Sequence, residues 1–208
     1  MPNPRLPFAE RLARVSGKVW IGVWAALALV GISSLSVSHM AAMPPPDKAT
    51  RMAMEAATLR QGSSGLFLVH VIYRECSCTE RLLAHLLARG RLPGVEEAIV
   101  YVARDSAAEL AGSAARAGFA LTRVTAEELD RRFGLQAAPV LLAFDSAQTL
   151  LYAGGYFDHP SAVSALDRRV HADIAAGRPV RPLPLFGCAV SPALQDAVDP
   201  LRIVYPRD

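Results

Sequence analysis

At 208 residues, 52% of them apolar, the chain has room for one ordinary domain with appendages. The net charge of +3 is local: residues 1–18 carry Arg5, Arg11, Arg14 and Lys18 against Glu10, and the remainder is balanced. A neutral main body gives no electrostatic case for nucleic acid, and no nucleic-acid partner is expected.

The first element in chain order is the uncharged run VWIGVWAALALVGISSLSVS from Val19 to Ser38. A bilayer core needs about 20 such residues as a helix. Trp20 and Trp24 stand near its N-terminal end, where indoles favour the membrane interface. The expectation is a transmembrane helix over residues 19–40 behind a basic cytoplasmic segment, 1–18. By the positive-inside rule the rest then lies beyond the inner membrane, single-pass, in the periplasm or cell exterior. A cleaved signal peptide, with Ser36-Val37-Ser38 as its small-x-small site, is the rival and gives the same compartment.

Residues 41–62 read as a linker and helix. Pro44-Pro45-Pro46 makes a stiff spacer, and residues 47–60 follow as a helix with Asp47 as N-cap. From there the units alternate. Strand 66–73 (LFLVHVIY) leads to helix 79–89, closed by Gly90. Strand 97–103 leads to helix 105–117, capped by Asp105 or Ser106 and stopped by Gly118. Strand 119–124 leads to helix 125–133, opened by Thr125 with Glu128 three residues on, a capping-box pattern. Strands 139–144 and 149–154 flank a hairpin-like gap, and helix 160–176 closes at Gly177. Residues 178–208 form a Pro-rich tail expected to wrap the domain irregularly. This order predicts an α/β sandwich of three layers around a mixed β-sheet.

Two cysteines, Cys76 and Cys78, fall where the first strand gives way to its helix, and a third, Cys188, lies in the tail. The free N–H groups and dipole of a helix N-terminus stabilise an anion there. A thiolate so placed ionises more readily and becomes the attacking species. An exported domain also sits where disulfides persist, and an odd count leaves one thiol unpaired in a monomer.

The stretch 63–177 resembles the thioredoxin superfamily, in particular its anchored, exported branch. The resemblance rests on the strand, Cys-rich turn and helix at 66–89. It rests also on Phe133-Gly-Leu-Gln-Ala-Ala-Pro139-Val-Leu-Leu, which is similar to the family's segment ending in a cis-proline before a strand. It implies a cis Pro139 packed near Cys76, and thiol–disulfide exchange on exported protein thiols or disulfides, with a redox partner still to be identified. In the family one cysteine attacks and a second, three residues on, resolves. Here the pattern is C-S-C-T, so Cys76 takes the attacking place and Thr79 stands where the second cysteine would be.

Three further roles follow. Thr79 is positioned to hydrogen-bond the thiolate. An imidazole titrates near neutrality, which makes His70 a candidate general base toward the resolving thiol. Either Cys78 or Cys188 resolves Cys76; Cys78 is the nearer in sequence, while Gly187 beside Cys188 signals a close backbone approach. No cofactor is implied. Thiolates favour Cu(I) or Zn, with His70, His85 and His159 as third ligands, so a metal-handling chaperone is one alternative. A non-catalytic protein-binding module is another.

Overall fold

The computed structural model describes residues 17–40, 42–44, 49–62, 65–162 and 164–206, and the chain divides into two units, Met1–Ala41 and Ala42–Asp208. The basic segment 1–16 and the proposed cap Asp47 lie outside the described residues.

Within the first unit the uncharged run forms one α-helix, α1 (Gly17–Met40, 24 residues). Its side chains are described over residues 19–33. Among the described residues, no helix is long and apolar enough to cross a membrane. Trp20, Ile21, Trp24, Leu27, Leu29, Val30 and Ile32 are all exposed.

The second unit is built on a five-stranded mixed sheet. Its strands are β1 (Phe67–Tyr73), β2 (Glu96–Val102), β3 (Ala120–Val124), β5 (Val140–Phe144) and β6 (Leu150–Gly154), in the order β3-β2-β1-β5-β6. β1, β2 and β3 run parallel, and β5 and β6 are antiparallel additions on the other side. The central strand β1 is apolar apart from His70 and buried throughout, as a strand covered on both faces must be.

Alternation along β1 sends its side chains to two cores. Phe67, Val69, Val71 and Tyr73 face one core with Met52 and Ala56 of α2 (Ala49–Leu59). Leu68 and Ile72 face the other with Leu82 and Leu86 of α3 (Thr79–Arg89) and Ala114 of α4 (Ala108–Arg116). Helices on both faces of one mixed sheet make the three expected layers.

Several boundaries follow the local signals. Thr125 and Glu128 form the capping box of α5 (Ala126–Glu128), which continues as a π-helical turn, Leu129–Phe133, ending at Gly134. Helix α3 spans the expected residues. Other expectations are corrected. The N-cap of α4 is Ala107, without a side-chain cap; Ser106 Oγ only accepts from the Ala108 N–H at 3.3 Å, and Asp105 instead faces Arg74 at 3.2 Å. The helix expected from residue 160 is α6 (Asp167–Ala175), because Asp167 is fully buried and bonded to α3 side chains, which fixes the first turn there.

The tail is irregular over residues 178–184, as expected, but forms regular structure beyond them. Cys188–Ala189 forms β7, antiparallel to β4 (Ala137–Ala138), with Ala138 opposite Cys188. Ser191 then caps α7 (Pro192–Val198), accepting from the Leu194 N–H, with Pro192 in the first helical turn. Met43 pairs with Leu185, so the tail is also held by residues before α2.

Candidate functional site

β1 ends at Tyr73, and its carbonyl accepts the Cys76 N–H at 3.1 Å, closing the turn that leads into α3. Cys78 is the N-cap residue of that helix. Cys76, 4% exposed, points into the core shared with Met52 and Phe133. Cys78 and Cys188 are partly exposed.

The tail completes the site. The β4–β7 ladder sets Cys188 against Ala138, and the Ala138–Pro139 peptide bond is cis, as expected. Gly187 fits because a Cβ there would lie 2.1 Å from the Ala138 carbonyl oxygen and 2.6 Å from Pro139 Cδ. Tyr205 hydroxyl accepts from the Ala189 N–H at 2.9 Å and holds the strand from the far side. Pro139 therefore borders Gly187, the chain neighbour of Cys188.

All three cysteines are free thiols and meet at Cys76. Its Sγ is 2.6 Å from Cys188 Sγ and 3.1 Å from Cys78 Sγ. The strand, the Cys turn, the helix it caps, the cis-proline loop and the late hairpin β5–β6 now stand in one arrangement. The fold is thioredoxin-like.

No protein-family model matches the chain, and no curated protein matches it in sequence. Solved structures similar to it include an uncharacterized conserved protein from Geobacillus kaustophilus, at 19% identity over 62% of this chain and 78% of that one, with a TM-score of 0.48. A hypothetical protein from Sinorhizobium meliloti 1021 matches at 16% identity over 73% of this chain and 91% of that one, TM-score 0.45. A secreted Mycobacterium tuberculosis disulfide oxidoreductase, homologous to E. coli DsbE, matches at 14% identity over 58% of this chain and 85% of that one, TM-score 0.38.

Among the three thiols the electrostatics set a ranking. For Cys78, the hydrogen bond from Cys76 outweighs burial and lowers the pKa below the usual 9.0. For Cys76, the hydrogen bond from Cys188 lowers the pKa, but the bond to Cys78 and burial outweigh it and push it up to about 12. Cys188, which donates to Cys76, is pushed well above the ordinary thiol range by that bond and by burial. Cys188 donates to Cys76, either sulfur of the Cys76–Cys78 pair can donate, and the lowered Cys78 favours negative charge there, at the helix N-terminus. The sequence places the attacking thiolate on Cys76, and this ranking favours its neighbour.

Two other expected roles are not assembled. Thr79 Oγ1 donates to the Tyr73 carbonyl oxygen rather than to a thiolate, and its side chain is buried in that contact. His70 leaves β1 on the opposite face from Tyr73 and Cys76. Its Nδ1 is 2.7 Å from the Tyr156 hydroxyl and its Nε2 2.7 Å from a Glu97 carboxylate oxygen. Both ring nitrogens are occupied on the far side of the sheet, so His70 is no base for these thiols.

His70 belongs instead to a buried polar cluster that sequence reasoning missed. Arg89 Nη2 donates to Glu97 at 2.6 Å and its Nε to Asp167 at 2.8 Å, while His85 Nε2 is 2.9 Å from Asp167. Burial pushes the Glu97 carboxyl up, but hydrogen bonds from His70 and Arg89 outweigh it and hold the pKa at about 2. His159 stands apart, beside exposed Asp158 at 3.6 Å. Neither His85 nor His159 joins the cysteines.

A groove of about 330 Å³ opens beside the site, lined among others by Tyr73, Glu75, Arg104, Thr125, Val190 and Gln195. A larger hollow of about 400 Å³ lies at the opposite end of β2, between Gln61, Arg91, Gly94 and Glu96, and holds no thiol. Neither is lined by a thiol; the first borders the cluster through Glu75 and Val190, which stand next to Cys76 and near Cys188 in sequence.

Proposed function

We propose that the protein is a thiol–disulfide oxidoreductase, anchored by α1 in the inner membrane and acting on the disulfides of exported proteins. The observation that carries the exchange activity is the contact of three free thiols at the N-terminus of α3, with Cys76 within 3.1 Å of both others. Thiol–disulfide exchange needs an ionisable thiol within reach of a disulfide sulfur and a second thiol close enough to resolve the mixed disulfide. This cluster supplies both.

The anchoring reading is supported by composition and by α1. A helix apolar on all sides, with its described indoles and aliphatic side chains exposed, calls for an apolar surrounding. Its basic N-terminal flank supports, by the positive-inside rule, a domain beyond the membrane.

The metal-handling alternative has less support. Two thiolates on one tetrahedral metal at bonds of about 2.3 Å stand roughly 3.8 Å apart, further than either sulfur pair here. Among the described residues no group of three His, Cys, Asp or Glu is arranged to hold a metal ion.

Two experiments test the reading. The reduced full-length protein, mixed with a disulfide-linked peptide pair, is expected to release both peptide thiols, and a variant with serine at all three cysteines is expected to release none. Equal release by the two proteins would end the enzymatic reading. A reporter fused after Asp47 is expected to be active only outside the cytoplasm; activity only inside it would remove the anchor and the compartment.

A further inference from the structure

The three thiols do not occupy equivalent places. Cys78 is partly exposed and stands at the N-cap position of α3, where the free helix N–H groups favour negative charge. Cys76 is buried between its two neighbours. Cys188 is fixed by the β4–β7 ladder, by the Gly187 approach to Ala138 and by Tyr205. Cys76 is within reach of both other sulfurs, and the Cys188 contact is the shorter. A thiol so placed has a sulfur partner on either side.

On the strength of the exchange activity proposed above, we propose that the cluster is a directional relay: Cys78 meets the substrate disulfide, Cys76 resolves it, and Cys188 then takes the disulfide over from Cys78. The Cys78 thiolate attacks one substrate sulfur; a Cys78–substrate bond forms, the substrate disulfide breaks, and the first substrate thiolate leaves. Cys76 gives up its proton and attacks Cys78 Sγ; the Cys76–Cys78 bond forms and the second substrate thiolate leaves. Cys188 gives up its proton and attacks Cys76 Sγ; the Cys76–Cys188 bond forms and Cys78 is released as a thiolate. Two electrons pass from Cys76 and Cys188 to the substrate, and their two protons end on the two substrate thiols. An external dithiol resets the Cys76–Cys188 bond.

The third step distinguishes this scheme from a two-cysteine exchange. It returns the exposed thiolate while the protein is still oxidised, and it stores the disulfide between a buried residue and the tail. It also gives the order of the tail a chemical purpose, since a disordered tail would leave Cys76–Cys78 as the product.

The test uses the full-length reduced protein and one equivalent of a disulfide-linked peptide pair. The reaction is quenched with iodoacetamide, and the unreduced digest is mapped by mass spectrometry. The expected product carries a Cys76–Cys188 crosslink and an alkylated Cys78. Cys188→Ser is expected to stop at a Cys76–Cys78 bond with no alkylated Cys78. Cys78→Ser is expected to slow formation of the mixed disulfide by roughly tenfold or more, because the remaining thiols ionise less readily. Release of peptide thiols with Cys188 left free and alkylated overturns the relay and leaves the exchange activity standing. An undiminished first step in Cys78→Ser overturns the entry role of Cys78. No release by the wild-type protein removes the exchange activity itself. The wild-type map depends on no variant folding.

Discussion

Cys188 Sγ lies 2.6 Å from Cys76 Sγ across 112 residues of chain. The approach depends on Gly187, where any Cβ would overlap the Ala138 carbonyl at 2.1 Å. That obstacle is backbone, which cannot turn aside as a flexible side chain can. Gly187→Ala is therefore expected to push β7 off β4 and withdraw Cys188 from the cluster. Overpacking of this kind costs about 1–3 kcal/mol. Urea unfolding measures the loss, and the yield of Cys76–Cys188 crosslink under mild oxidation should fall with it. An unchanged yield would show that Gly187 does not seat the tail.

The long separation has a thermodynamic signature. In the chain-entropy account, a disulfide across a loop of about 100 residues stabilises the fold by about 4.7 kcal/mol, whereas the same relation gives only about 1.5 kcal/mol for a three-residue ring. The oxidised protein should thus be more stable than the dithiothreitol-reduced protein by the larger amount if the resting bond is Cys76–Cys188. Urea unfolding of both forms reads the difference directly. A gain near the smaller figure would assign the resting bond to Cys76–Cys78.

Much of this architecture was legible because its signals are local. The apolar run at Phe67–Tyr73, the Thr125 capping box and the Ala138–Pro139 segment each depend on neighbours in sequence, and each stands in the structure as expected. The tail was not legible because what orders it is remote: a two-residue ladder between Ala138 and Cys188 leaves no periodicity. Ser191 and Pro192 did carry a readable helix-start signal, an N-cap followed by proline in the first turn. His70 misled for a different reason. In a strand buried on both faces, apolar residues do not alternate with polar ones, so the face of His70 cannot be read from its neighbours. Its partner Glu97 sits on the adjacent parallel strand, and Arg89 and Asp167 come from two helices on that side of the sheet.

That buried cluster makes stability depend on acid. The Glu97 carboxyl titrates at about 2 in the fold, below the usual value of about 4.3 for an unfolded chain. A depressed carboxyl pKa contributes stability that is full above the unfolded value and lost as pH falls through the folded one. The contribution should therefore be complete above about pH 5 and fade toward pH 2. Glu97→Gln is expected to flatten the urea-midpoint profile across that window. At pH 7 it should cost about 3–5 kcal/mol, since it breaks a buried ion pair with Arg89. Parallel profiles for the two proteins would show that the acid sensitivity arises elsewhere.

The thiol ranking can be read without any substrate. Iodoacetamide reacts with the thiolate, so each cysteine's alkylation rate follows its ionised fraction and its access to solvent. Cys78, lowered by the hydrogen bond from Cys76 and partly exposed, should be alkylated first in the reduced protein, with a pH midpoint below 9.0. Cys76, at about 12 and 4% exposed, should stay protected well above that pH. Cys76→Ala removes the acceptor to which Cys188 donates. In that variant Cys188 loses its largest upward influence, the bond to Cys76, and should become alkylated at lower pH than in the wild type. Site-resolved mass spectrometry over a pH series follows all three residues at once. Faster labelling of Cys76 than of Cys78 would reverse the ranking and return the attacking role to the residue that the sequence first indicated.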